Sequence, residues 1–103
     1  MTLFDARENA FEAEFAHREE LKFRVRERAV VSLALWAAHR LGLASAAAEA
    51  YAREIVGADV ADPRRDSALE RIAADLRPLS VTEQEVRRCM EQFIAQAEAP
   101  LPE

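Results

Sequence analysis

The chain has one cysteine, Cys89, so it can hold no internal disulfide, and no CxxC pair points to zinc or thiol-redox chemistry. A reduced, cytosolic setting is the expectation. Glycine occurs twice and proline four times in 103 residues, too few turn formers for a β-sandwich. The longest uncharged stretches, AVVSLALWAA and LGLASAAAEAYA with its one glutamate, are separated by His39 and Arg40 and are too short to cross a bilayer. No basic start leads into an apolar run, so the N-terminus does not read as a signal peptide. Positive charge is also short: the formal net charge of −5 disfavours nucleic acid and anionic membranes as partners. Glycine-rich phosphate loops, dinucleotide turns and nucleophile motifs are missing, so an enzyme is not expected.

What is present suits one helical domain: 50% of residues are hydrophobic and 32% charged, on a chain long enough for a single modest core. The charge is uneven. Residues 1–20 carry two arginines against six carboxylates, whereas LKFRVRER at 21–28 carries four cations against one glutamate. An acidic arm runs into a basic stem.

Helical punctuation recurs four times. Leu21, Val25, Ala29, Leu33 and Trp36 recur at steps of three or four and predict a first helix over roughly 21–41, most buried between Ala29 and Ala38, with Gly42 as its stop. Ser45 is expected to cap a second helix whose Ala48, Tyr51, Ala52 and Ile55 face inward and which Gly57 ends. The linker GADVADPRRD then reads as the longest loop. Ser67 and Glu70 form a capping-box pattern for a third helix with Leu69, Ile72, Ala73 and Leu76 inward, closed by Pro78. Thr82 and Glu85 repeat the pattern ahead of a fourth, with Val86, Cys89, Met90, Phe93 and Ile94 at helical spacing and Pro100 and Pro102 at its end. The reading is an all-α four-helix bundle over 21–98, with short connections and a disordered tail at 99–103.

The opening segment is also helix-compatible, since Phe4, Phe11 and Phe15 share one side of a helix and Glu14–Arg18 and Glu20–Arg24 are favourable four-residue pairs. Projected forward, that aromatic face meets Arg18 and Lys22, so the patch HREELK separates it from the core stripe. Two explanations stay open: the phenylalanines fold back as a fringe of the core, or the arm is partly disordered when free and becomes helical in a partner's groove.

The phrases Phe4-Asp5, Arg7-Glu8, Ala10-Phe11-Glu12, Phe15-Ala16-His17, Glu19-Glu20-Leu21-Lys22-Phe23, Leu35-Trp36-Ala37-Ala38, Leu41-Gly42-Leu43 and Ala48-Glu49-Ala50-Tyr51-Ala52, with VRRCMEQ in the fourth helix, run in order along the chain. In them the chain resembles the zeta-type inhibitor subunit of alphaproteobacterial F-type ATP synthases, a family also described as a domain of unknown function. The resemblance implies a four-helix bundle with a mobile N-terminal arm at residues 1–20. It further implies inhibition of ATP hydrolysis, with the arm entering an α/β interface of the catalytic head beside the central rotor. Its expected partners are the α, β and γ subunits, reached as a cytoplasmic protein peripheral to the inner face of the plasma membrane. On that reading Phe4, Phe11 and Phe15 are anchors, and Asp5, Arg7, Glu8, Glu12 and Glu14 meet polar groups at the rim. Lys22, Arg24, Arg26 and Arg28 form a basic stem that could dock on an acidic surface or remain a solvated face. The stem RVRERAVVSLA is more apolar than the family's phrase.

The alternative is a small regulatory bundle that binds a ligand such as a nucleotide, for which Arg64-Arg65 or Arg87-Arg88 could hold phosphates. His17 and His39 are too far apart in sequence to make a ready metal pair, and neither a metal nor another cofactor is expected. Cys89, Trp36 and Met90 read as core.

Overall fold

The computed structural model describes residues 3–99, with side chains from residue 10 onward. Four helices follow one another: α1 (Leu3–Arg40), α2 (Ser45–Ala61), α3 (Ser67–Leu76) and α4 (Glu83–Glu98), with a short 3-10 turn at Arg77–Leu79. α1 packs against all three others, and α3 packs against α2 and α4. This is the all-α four-helix architecture expected of the pattern.

The apolar run between Ala29 and Ala38 makes α1 the spine. Ala29, Val30, Leu33, Ala34, Ala37 and Ala38 are buried, and the small side chains among them let the neighbouring helices come close. Against them lie Ile55 of α2, Ile72 and Leu76 of α3 and Val86 and Met90 of α4. Burying each large aliphatic side chain is worth about 1.5–3 kcal/mol. No buried side-chain nitrogen or oxygen among the described residues lacks a hydrogen-bond partner. Tyr51, on the inner face of α2, donates its hydroxyl to the Asp75 carboxylate of α3 at 2.7 Å. Burial first, and then this bond to a carboxylate, hold the phenol pKa far above its ordinary value, so the donor stays protonated.

Gly42 ends α1 as expected. Its φ of +78° places it in the left-handed region, and the Leu43 N–H reaches the Ala38 carbonyl at 2.8 Å while the Gly42 N–H reaches His39 at 3.0 Å. Together these form the paired bonds of a Schellman cap.

Three local expectations are corrected. α2 does not stop at Gly57 but continues to Ala61; the glycine faces open space and nothing there forces a break. A mid-helix glycine costs only about 1 kcal/mol, which the packing of α2 on α1 outweighs. The capping position of α2 is Ala44 rather than Ser45, without a side-chain cap. The Ser67–Glu70 box does not form either: Ser67 is already helical and turns its hydroxyl back to Asp62. The linker shortens accordingly to residues 62–66. At α4, by contrast, Thr82 does accept the Glu85 N–H, at 3.1 Å. Pro100 and Pro102 lie outside the described residues.

Asp62 replaces the missing box. One of its oxygens accepts the backbone N–H groups of Asp66 and Ser67 and the Ser67 hydroxyl at 2.7–3.0 Å, while the other accepts the Arg64 N–H at 3.0 Å. The Ser67 hydroxyl bond first, then the backbone bonds, hold this carboxyl well below the usual range. A depressed carboxylate contributes its full stability above its unfolded pKa and loses it as pH falls toward the folded value. The thermal midpoint of Asp62→Ala should therefore lie below the parent's at pH 7, with the gap narrowing below about pH 4. Melting curves from pH 7 to 2 check this, and a constant gap would contradict it.

Candidate functional site

All described side chains from Ala10 to Arg24 are exposed. What supports a helix here is local: Arg18 pairs with Glu14 at 2.7 Å, Arg24 with Glu20 at 2.7 Å and Lys22 with Glu19 at 3.3 Å, all on the surface. Such pairs contribute a few tenths of a kcal/mol each. Phe11 is 75% and Phe15 63% exposed. They lie five helical turns, about 27 Å, ahead of Ala29 and Leu33 on the same azimuth. The aromatic face is thus aligned with the core face of α1 but displaced from it along the axis. The end of α4 reaches back only as far as the cleft that Leu21, Lys22, Val25 and Arg26 form with Ile94 and Glu98.

Phe4, Asp5, Arg7 and Glu8 belong to α1 by backbone, and their side chains lie outside the described part. Glu12 is exposed beside Phe11 and Phe15. In the stem, Lys22 and Arg24 point to solvent in their surface pairs, and Arg28 lies exposed beside the groove between α1 and α4 that Val31, Phe93 and Ala97 line.

Arg26 differs. Its Nη2 donates to Asp59 Oδ1 at 2.9 Å and to the Arg65 carbonyl at 2.5 Å, so this cation is held inside the fold. Asp59 is 2% exposed, and its other oxygen accepts Arg65 Nη1 at 3.2 Å. The Arg65 guanidinium also lies 5.1 Å above the Phe23 ring, a cation–π contact. Of the candidate phosphate-binding arginines, Arg65 is turned to Asp59 while Arg64 is exposed, and Arg87 bridges to Glu83 at 3.0 Å while Arg88 is exposed. His17 and His39 are both exposed, and Cys89 is half-buried against the core.

Asp59 is the residue that reading the sequence missed. It stands one turn beyond Ile55, in step with Tyr51 and Ile55, and the signal was hidden only by ending α2 at Gly57.

The family described as ATPase inhibitor subunit zeta matches residues 1–100. The chain belongs to that family. The match runs through the arm, stem and bundle alike, so the ordered phrases of the opening segment and those of the second and fourth helices are parts of one pattern. Comparison with curated proteins and with solved structures gave no match. Membership names an ATPase inhibitor subunit. Among the described residues no helix is long and apolar enough to cross a membrane.

Proposed function

We propose that this zeta-family protein inhibits ATP hydrolysis by the F-type ATP synthase by inserting residues 1–20 at an α/β catalytic interface beside the central rotor, blocking hydrolytic rotation. The observation that carries the reading is the exposure of Phe11 and Phe15 on a helical arm beyond the bundle, in a chain that matches the inhibitor family along its length. Two large aromatics on one face are costly to leave in water and suited to filling apolar pockets. Asp5, Arg7, Glu8 and Glu12 supply the polar rim, with Phe4 as a third anchor about two turns further out. The bundle, residues 21–98, is the holder and docking module, and Lys22, Arg24 and Arg28 are the cations its stem offers to an acidic surface of the head. The protein acts by binding, without chemistry of its own, and is peripheral to the inner face of the plasma membrane through the synthase.

ATP hydrolysis by the isolated catalytic head, titrated with the full chain and with a chain beginning at residue 20, tests this. The full chain should inhibit, and the shortened one should not at a hundredfold higher concentration. Equal inhibition by both would move the activity to the bundle, and inhibition by neither would remove the proposal.

A further inference from the structure

The core holds only the second half of α1. Its buried stripe begins at Ala29, and every described side chain from residue 10 to residue 24 is exposed. Between the two lies one turn, residues 23–26, that α2 and the loop after it grip instead. Arg26 donates to Asp59 on α2 and to the Arg65 carbonyl in that loop. Arg65 returns to Asp59, and its guanidinium covers the Phe23 ring. On another side of this turn, Val25 borders the end of α4 at Ile94 and Glu98.

The backbone of Arg65 is part of the observation. Its φ of +60° lies in the left-handed region, where glycine sits freely and a residue with a side chain is strained. Asp62 holds the loop in this shape by accepting the N–H groups of Arg64, Asp66 and Ser67. Strain of this kind persists only where the surroundings over-determine it. What it delivers here is a cation to Asp59 and to the face of Phe23, and a carbonyl to Arg26.

That turn matters because of how helices grow. Starting a helix is about a thousandfold unfavourable, whereas adding a residue to an existing end is nearly neutral. Each helical N–H bonds the carbonyl four residues back, so the N–H groups of Glu27, Arg28, Ala29 and Val30 close on the carbonyls of residues 23–26. The core stripe secures the helix from Ala29 onward, but those four bonds last only while the turn before it stays wound.

Resting on the inhibitory reading above, we infer that Asp59 and Arg65, through Arg26 and Phe23, form a fray stop: they keep residues 23–26 wound and so supply the nucleus on which the arm's helix forms. The arm beyond it is free to fray and needs no set direction. On its partner it winds from the stem toward the tip, past the pairs Arg24–Glu20, Lys22–Glu19 and Arg18–Glu14 and then Phe15, Phe11 and Phe4. Without the stop the nucleus retreats to the core stripe, and one further turn has to be ordered during insertion. The four residues are positioning residues, acting through the helix end.

Amide hydrogen exchange on the full chain, read residue by residue by NMR, tests the stop. In the parent, the amides of Glu27, Arg28, Ala29 and Val30 should be protected at least a hundredfold over those of residues 10–20. Arg65→Gly, which relieves the backbone while removing the cation, and separately Arg26→Gln should lower that protection at least tenfold. The comparison is made relative to Ile72 and Ala73 of α3, whose exchange reports the fold as a whole. Each variant leaves Asp59 one arginine, so its buried carboxylate stays paired. Onset of ATPase inhibition should slow about threefold to tenfold in both. Unprotected amides at 27–30 in the parent, or unchanged relative protection in either variant, overturn the stop. Lowered protection without slower onset overturns its part in forming the arm's helix. If the parent itself does not inhibit, the inhibitory reading fails together with that part, whereas the exchange pattern still decides whether the stop exists.

Discussion

Replacing Phe4, Phe11 and Phe15 together with alanine should raise the concentration needed for half-inhibition of ATP hydrolysis at least about a hundredfold, with the thermal midpoint of the free protein nearly unchanged. The first half follows from the anchor role: truncating one buried aromatic hot spot costs about 2 kcal/mol or more, roughly thirtyfold in affinity, and several such losses combine less than additively. The second half follows from exposure. Phe11 and Phe15 give little core to lose, and surface substitutions of that kind stay within about 0.5 kcal/mol. Titrating the catalytic head with parent and variant, alongside a thermal melt of each, checks both. A midpoint lowered by several degrees would mean that the phenylalanines pack at home, as the other explanation of the opening segment holds. Unchanged inhibition would place the anchors elsewhere on the chain.

The long stripes were legible because they were large. The run from Ala29 to Ala38 is apolar on nearly every face, and that alone marked the spine of the bundle. Leu69, Ile72, Ala73 and Leu76 gave the inward face of α3 through their spacing, and all four are buried. What periodicity could not give were the ends. Gly57 reads as a stop only if local propensity decides, and about 1 kcal/mol of propensity loses to the packing of a helix that continues past it. Ser67 reads as a cap until Asp62, five residues earlier, turns out to take both its backbone N–H and its hydroxyl. These were rivalries between neighbouring polar groups, which only the path of the backbone resolves. Arg26 was indistinguishable in sequence from Arg24 and Arg28. Its role depends on Asp59, and Asp59 comes into register only once α2 is known to run through Gly57.

Leu33→Ala should lower stability by about 2–5 kcal/mol, the range for emptying a fully buried leucine site. Leu33 has no exposed surface and sits in the buried stretch of α1 among four buried alanines, in one core with Ile55, Ile72, Leu76, Val86 and Met90, and the cost within that range depends on how far those neighbours close the space. A domain of this size commonly holds about 5–15 kcal/mol in all, and the midpoint should drop by roughly 10–40 °C. Leu35→Ala, two residues along the same helix but 41% exposed beside the groove between α1 and α2, should cost much less than Leu33→Ala, and chemical denaturation of the pair isolates burial from helix propensity. Near-equal losses would contradict the placement of the core on α1. In the hydrolysis assay the contrast with the phenylalanine variant is the useful part: Leu33→Ala keeps the anchors and weakens their holder. It should inhibit like the parent where it is folded and lose potency above its own midpoint, because an unfolded holder no longer presents the arm.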